Sequence, residues 1–204
     1  MFGKELNIQE YLSIGYLYLV ILGVLSDSLF YGILGFPIID YMSILDALIS
    51  PVNLLTRDYR ITLPIVIMFT LLYLYTTKWA PMLHESLRDK RWYRKMTNIE
   101  RADKRIELLK DRKNLFWSVL FMYALLFLSI RLGMALGTKN GLVEKSENPN
   151  YSLTFKDDSV LDIRKLGQNS TYIFYLDRGE TTVVATPILD NIKKIKKIEK
   201  DRND

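Results

Sequence analysis

Cysteine is absent from the chain, and histidine occurs once in 204 residues. Without thiols there can be no disulfide framework, no thiolate nucleophile, and no zinc or iron–sulfur site built on thiolates. The lone His84 has no second ligand in sight along the chain and reads as a surface residue. Phosphate loops, nucleophile elbows and carboxylate dyads in a defined frame are also missing. The expectation is therefore a non-enzymatic protein with no catalytic residue, no metal and no cofactor. Charge is scarce only in places. Asp, Glu, Lys and Arg make up 25 % of the chain, yet they nearly vanish inside three apolar blocks. Such blocks exclude an all-soluble chain, and 12 % aromatics exclude disorder.

What is present points to an α-helical polytopic membrane protein with about three spans. The first block, residues 11–36, has 26 residues and a single charge, Asp27. A signal peptide would have an apolar region of ~7–15 residues, a basic start and a small-residue cleavage site. Here the start holds Lys4, Glu5 and Glu10, and no cleavage site follows, so a retained span is expected. The second block, residues 61–77, has 17 uncharged residues between Arg60 and Lys78. At helical rise that is roughly 25 Å, which with snorkelling ends matches a ~30 Å hydrocarbon layer. Pro64 falls in its first turn, and Tyr73, Tyr75 and Trp79 suit an aromatic belt. The third block is 114–137, with Arg131 in its last third. Residues 37–60 read as a helix lying on or re-entering the membrane, broken at Pro51, with a further span as the alternative.

Orientation follows from the loop 78–113, where 12 Lys/Arg face 6 Asp/Glu. The positive-inside bias places this loop in the cytoplasm and the C-terminal region on the opposite face, with a bacterial inner membrane as the expected site. The loop reads as a helical hairpin. Thr97 and Glu100 have capping-box spacing, and Ile99, Ala102, Ile106 and Leu109 repeat at helical spacing in a register that continues into the third span. Glu100, Lys104, Glu107 and Asp111 line the opposite face, while Leu83, Leu87 and Trp92 offer a matching stripe. The cluster Arg88, Lys90, Arg91, Arg94 and Lys95 is interleaved with Trp92 and Tyr93. Cations and aromatics together can bind nucleic acid. Tethering beside a bilayer favours lipid phosphates instead, so membrane lipids are expected partners and nucleic acid is not.

Residues 1–137 thus form a transmembrane domain, 138–150 a polar linker, and 151–204 a small β-rich domain. Strands are expected at Tyr151–Phe155, Ser159–Arg164, Thr171–Asp177 and Thr181–Thr186, with a hairpin turn at Gly179. Thr186-Pro187 resembles an N-cap and first helical residue, and Ile188, Ile192 and Ile195 share one helical face. An antiparallel sheet or small barrel closed by an amphipathic helix is predicted. Its basic end, diluted by Glu199, Asp201 and Asp204, reads as a solvated face. Asn150 and Asn169 begin glycosylation-type triplets.

Two patterns inside the blocks concern packing. Ser129, Gly133 and Gly137 recur every four residues, a spacing that lets helices approach closely and could support a homo-oligomer. Counted from Tyr11 and Asn114, Asp27 and Arg131 lie 16 and 17 residues along parallel helices, at nearly one depth, roughly 24–26 Å from the starts. Either they pair, or each snorkels to headgroups. A membrane subunit or sensor that binds a protein partner or reports on the envelope is the leading expectation. The alternative is a pore-forming or permeability-altering effector, such as the membrane component of a bacterial defence system.

Overall fold

The computed structural model describes residues 7–56, 59–110 and 112–198. Lys4, Glu5, Asp111, Glu199, Asp201 and Asp204, named above, lie outside them. Among the described residues the helices are α1 (Ile8–Ile33), α2 (Ile44–Thr56), α3 (Tyr59–Leu74), α4 (Ala80–Leu87), α5 (Arg91–Met96), α6 (Ile99–Lys110), α7 (Arg112–Lys139) and α8 (Leu142–Glu147). The strands are β1 (Tyr151–Phe155), β2 (Val160–Gln168), β3 (Tyr172–Leu176), β4 (Val183–Pro187) and β5 (Ile192–Lys197). Two helical stretches of 26 residues, Ile8–Ile33 and Asn114–Lys139, are long and apolar enough to cross a membrane. The chain divides into two compact units, Met1–Asn53 with Leu128–Asp204, and Leu54–Phe127.

In the first unit, α1 buries Leu22, Gly23, Ser26, Phe30 and Tyr31, which recur at three- and four-residue steps and so form one stripe. The helix ends in a Schellman motif. Gly35 takes φ +78°, its N–H donates to the Gly32 carbonyl, and the Phe36 N–H donates to the Tyr31 carbonyl. Only glycine takes that conformation cheaply, and the Phe36–Tyr31 ring contact is the apolar pairing that accompanies such a cap. A 310 turn, Ile38–Tyr41, follows.

Helix α2 begins at Ser43, whose hydroxyl accepts the Asp46 N–H while Asp46 accepts the Ser43 N–H, a reciprocal cap. The expected break at Pro51 does not occur: Pro51 lies inside α2 and is fully buried. A proline there cannot donate to the carbonyl four residues back, which belongs to Ala47. That carbonyl faces Gly23 of α1, where an added Cβ would fall inside van der Waals contact with it. The missing hydrogen bond and the missing side chain therefore meet at one point, and the two backbones close together there.

The C-terminal sheet is antiparallel, five-stranded and open, in the order β4-β3-β2-β1-β5. It is not a closed barrel, since β4 and β5 are both edges. The predicted terminal helix is also corrected. Pro187 ends β4, and residues 192–197 pair with β1 as β5. The three-residue spacing of Ile192 and Ile195 looks helical, but a bulge opposite Thr154/Phe155 absorbs Lys193. Both isoleucines thereby reach the same core with Leu153, Ile163, Ile173 and Tyr175. Only four residues join β4 to β5 across the whole sheet. A flat sheet would put these edges about 19 Å apart, beyond the ~17 Å reach of that connection, so the sheet curls. Residues 142–147 of the expected linker form α8.

In the second unit, α3 starts before Pro64, which therefore lies inside the helix rather than in its first turn. A π segment, Tyr75–Trp79, joins α3 to α4. α6 packs against α4 and the π segment. Its N-cap is Asn98, whose side-chain oxygen accepts the Arg101 N–H, one residue later than the Thr97 box predicts. The expected apolar stripe differs too, because Leu83 and Trp92 are exposed.

The Gly23 contact yields a test. Gly23→Ala should cost ~1–3 kcal/mol by overpacking, read as a lower Tm in detergent. Gly15→Ala, where an added Cβ meets open space, should leave the Tm unchanged or slightly higher. Equal effects at the two sites would refute the close approach.

Candidate functional site

Three groupings of polar residues stand out, and each is built by a short helical or turn spacing. The first lies between α1 and α7. Arg131 is buried, with its side chain 11 % exposed and that of Asp27 15 %. Its Nη2 donates to Asp27 Oδ1, its Nε donates to Ser26 Oγ at 3.0 Å, and its guanidinium carbon lies 4.4 Å from the Phe30 ring centre. Asp27 and Arg131 are thus brought together. Ser26 and Phe30 were missed in the sequence, although Ser26, Asp27 and Phe30 share one helical face. The arrangement neutralises a charge among apolar neighbours and holds two helices in register.

From Phe30 an unbroken aromatic chain runs into the sheet. Phe30 meets Tyr31 at 5.1 Å, Tyr31 meets Phe174 of β3 at 5.2 Å, and Phe36 lies 5.6 Å from Phe174. Tyr41 closes on Tyr172 at 5.2 Å. The Tyr31 hydroxyl also occupies the space where Gly167 would carry a Cβ, next to the β2 bulge.

The second grouping fastens the turn before β3 to α2. Ser170 donates to Asp46 through both its N–H, at 3.0 Å, and its hydroxyl, at 3.2 Å. Asn169 Nδ2 donates to the Tyr41 carbonyl at 2.7 Å, and its Oδ1 accepts the N–H groups of Thr171 and Tyr172. That amide is committed, so a glycan on Asn169 would break the contact. Burial alone would raise the Asp46 carboxyl, but hydrogen bonds from Ser43 and Ser170 outweigh it and hold the group below its ordinary value. Asp177, in the turn after β3, goes the other way. Burial and the neighbouring Glu180 raise it, and its Oδ1 is buried without a hydrogen bond among the described residues.

The third grouping is in the other unit and corrects the surface reading of His84, which is 6 % exposed. His84 Nδ1 lies 2.9 Å from the Tyr93 hydroxyl and Nε2 lies 2.9 Å from Asp103 Oδ1, with Arg88 Nη2 3.1 Å from Asp103 Oδ2. One imidazole thereby ties α4, α5 and α6. The partners lie 9 and 19 residues away, spacings that no local pattern reveals. Arg88, Lys90, Arg91, Arg94 and Lys95 are all exposed, and of these only Arg88 joins the cluster. Ser129, Gly133 and Gly137 are exposed along α7, and Gly137 lends its carbonyl to Lys145. Among the described residues no three His, Cys, Asp or Glu side chains are grouped to hold a metal. Compared with known proteins, the chain matches no family model, no curated protein and no solved structure.

Two outcomes are expected. Asp27→Asn or Arg131→Gln alone leaves a buried charge without its partner, and each should cost about 3 kcal/mol. The double change should recover part of that loss, and strictly additive losses in melts of the purified protein would exclude coupling. On acidification, the stabilisation from Asp46 is fully present above its ordinary value, near 3.8, and fades as pH falls through its lower folded value. The protection of the amides at residues 169–171, taken as exchange relative to the unfolded chain at the same pH, should therefore fall below about pH 3.8. Asp46→Asn should flatten that dependence.

Proposed function

We propose that the chain is a non-enzymatic integral membrane subunit or sensor that binds a protein partner through its C-terminal sheet. In this reading it spans three times, at 11–36, 61–77 and 114–137. The basic loop 78–113 lies in the cytoplasm beside lipid phosphates, and the sheet lies on the opposite face. The observation that carries it is the outward surface of the two long helices. Leu12, Leu17, Ile21 and Leu25 on α1, and Phe121 and Leu125 on α7, are all at least half exposed. Apolar rows of that length need a non-aqueous surrounding. Docking of the sheet onto α1 supports a module held at a set place rather than one on a loose tether. The Asp27–Arg131 pair is satisfied internally, which favours an anchoring role over an ion path.

The lack of cysteine makes the topology directly testable. The protein should stay in the membrane pellet after alkaline carbonate extraction. Asp190→Cys should react with an impermeant maleimide in intact cells, and Lys95→Cys only after permeabilisation. The reverse pattern would overturn the orientation, and release by carbonate would overturn membrane integration. Native purification should bring a stoichiometric partner. A chain that purifies alone and conducts ions in proteoliposomes would establish the pore-forming reading instead.

A further inference from the structure

The two edges of the sheet are unlike. β5 carries Lys193, Lys194, Lys196 and Lys197, all exposed, the kind of charge that discourages strand addition. β4 and its approach, residues 181–187 (Thr-Thr-Val-Val-Ala-Thr-Pro), carry none. Its free hydrogen-bonding groups can be assigned. The Ile188 N–H donates to the Thr171 carbonyl at 2.8 Å, so 171/188 is a hydrogen-bonded pair. In an antiparallel ladder such pairs alternate, which makes Ile173↔Thr186 and Tyr175↔Val184 the next two. The N–H and C=O groups of Val183 and Ala185 therefore point away from β3. No other strand pairs with that side among the described residues. Pro187, lacking an N–H, limits the free edge at its end, a position where proline is tolerated.

We propose that this edge is a homodimer interface, formed by antiparallel pairing of β4 with β4 of a second copy. Centred on Val184, the pairing sets Val183 opposite Ala185 of the other copy and matches every outward N–H with an outward C=O. With no charge on the segment, two identical strands meet without repulsion. The two-fold symmetry of such a pair suits a second copy in the same bilayer. An antiparallel pair has its two-fold axis perpendicular to the sheet, so corresponding faces of both copies lie on one side. The face bearing Val183 and Ala185 packs on Phe30, Tyr31 and Leu34 at the end of α1 and on Ile38 in the turn that follows it. Both sets of helices thus project the same way, as two chains inserted with one orientation require. Confinement to a membrane raises the effective concentration for a short strand pair.

The orientation argument rests on the membrane reading above, which carbonate extraction tests separately. The decisive variant is Ala185→Pro, which deletes an outward N–H and no bond to β3. Wild type in nanodiscs or mild detergent should have the mass of two chains, and Ala185→Pro the mass of one. Ala185→Ser, which keeps the N–H, should remain dimeric. Amide exchange gives a readout without a variant: the Val183 and Ala185 amides should be slow at dimer concentrations and at least tenfold faster on dilution. A monomeric wild type overturns the proposal. So does a dimer that survives Ala185→Pro, or one lost only with Gly133→Ile and Gly137→Ile on the exposed face of α7. Slow exchange at both amides that persists in the monomer also overturns it, because another group must then cover the edge.

Discussion

A guanidinium surrounded by apolar side chains must find partners or leave, and Arg131 finds three of them on α1. Asp27 supplies the opposite charge, Ser26 an acceptor, and Phe30 the face of a ring. The Ser26 and Asp27 contacts are directional, so α1 and α7 can neither slide nor rotate past one another without losing them. Fixing that register sets what lies one turn further along. Ala135, four residues beyond Arg131, enters the cluster holding Phe30, Tyr31, Leu34 and Ile38, and the same cluster takes in Phe174, Leu176 and Val183 from the sheet. The sheet's seat is thus a downstream consequence of one ion pair.

Backbone chemistry does comparable positioning where no charge is available. Pro51 leaves the Ala47 carbonyl without its helical donor, and Gly23 leaves room for that carbonyl against α1. A side chain at Gly23 would collide with that carbonyl and push α2 away. Gly35 acts at the other end of the stripe. Its positive φ turns the chain so that Phe36 folds back on Tyr31 and both reach Phe174. The aromatic seat for the sheet is therefore assembled from Phe30, Tyr31, Phe36 and Tyr41, close together in sequence, and one strand.

Local periodicity made the long apolar helices and the first four strands legible, because each depends on residues close in sequence. Counting residues from two helix starts also reaches the level of Asp27 and Arg131, though not the Ser26 and Phe30 contacts, which depend on helix rotation. The failures share a cause. Ile192 and Ile195 reach one face in a helix, but they do so equally in a bulged strand, and only pairing with β1 decides between them. Pro51 reads as a break because the packing that buries it inside α2 is not visible in the local sequence. His84 reads as solitary because Tyr93 and Asp103 reach it through two turns of chain whose path no composition fixes.

Asp46 couples two of these outcomes. Its carboxylate caps the start of α2 through Ser43, where the helix dipole favours a negative charge, and accepts both donors of Ser170. A single group holding the sheet's turn and the helix start makes the two energetically dependent. Withdrawing Ser170 returns part of the carboxylate to solvent and weakens the reason for its lowered ionisation, so α2 feels the sheet's departure at its first turn. Asn169 reinforces the link, because its amide grips Tyr41 just before α2 while its oxygen shapes the turn into β3. The turn at 169–171 is thereby linked to the N-terminus of α2, and through the Ala47–Gly23 contact to α1. The sheet and the two helices are thus joined by adjoining contacts that run through one carboxylate and one carbonyl.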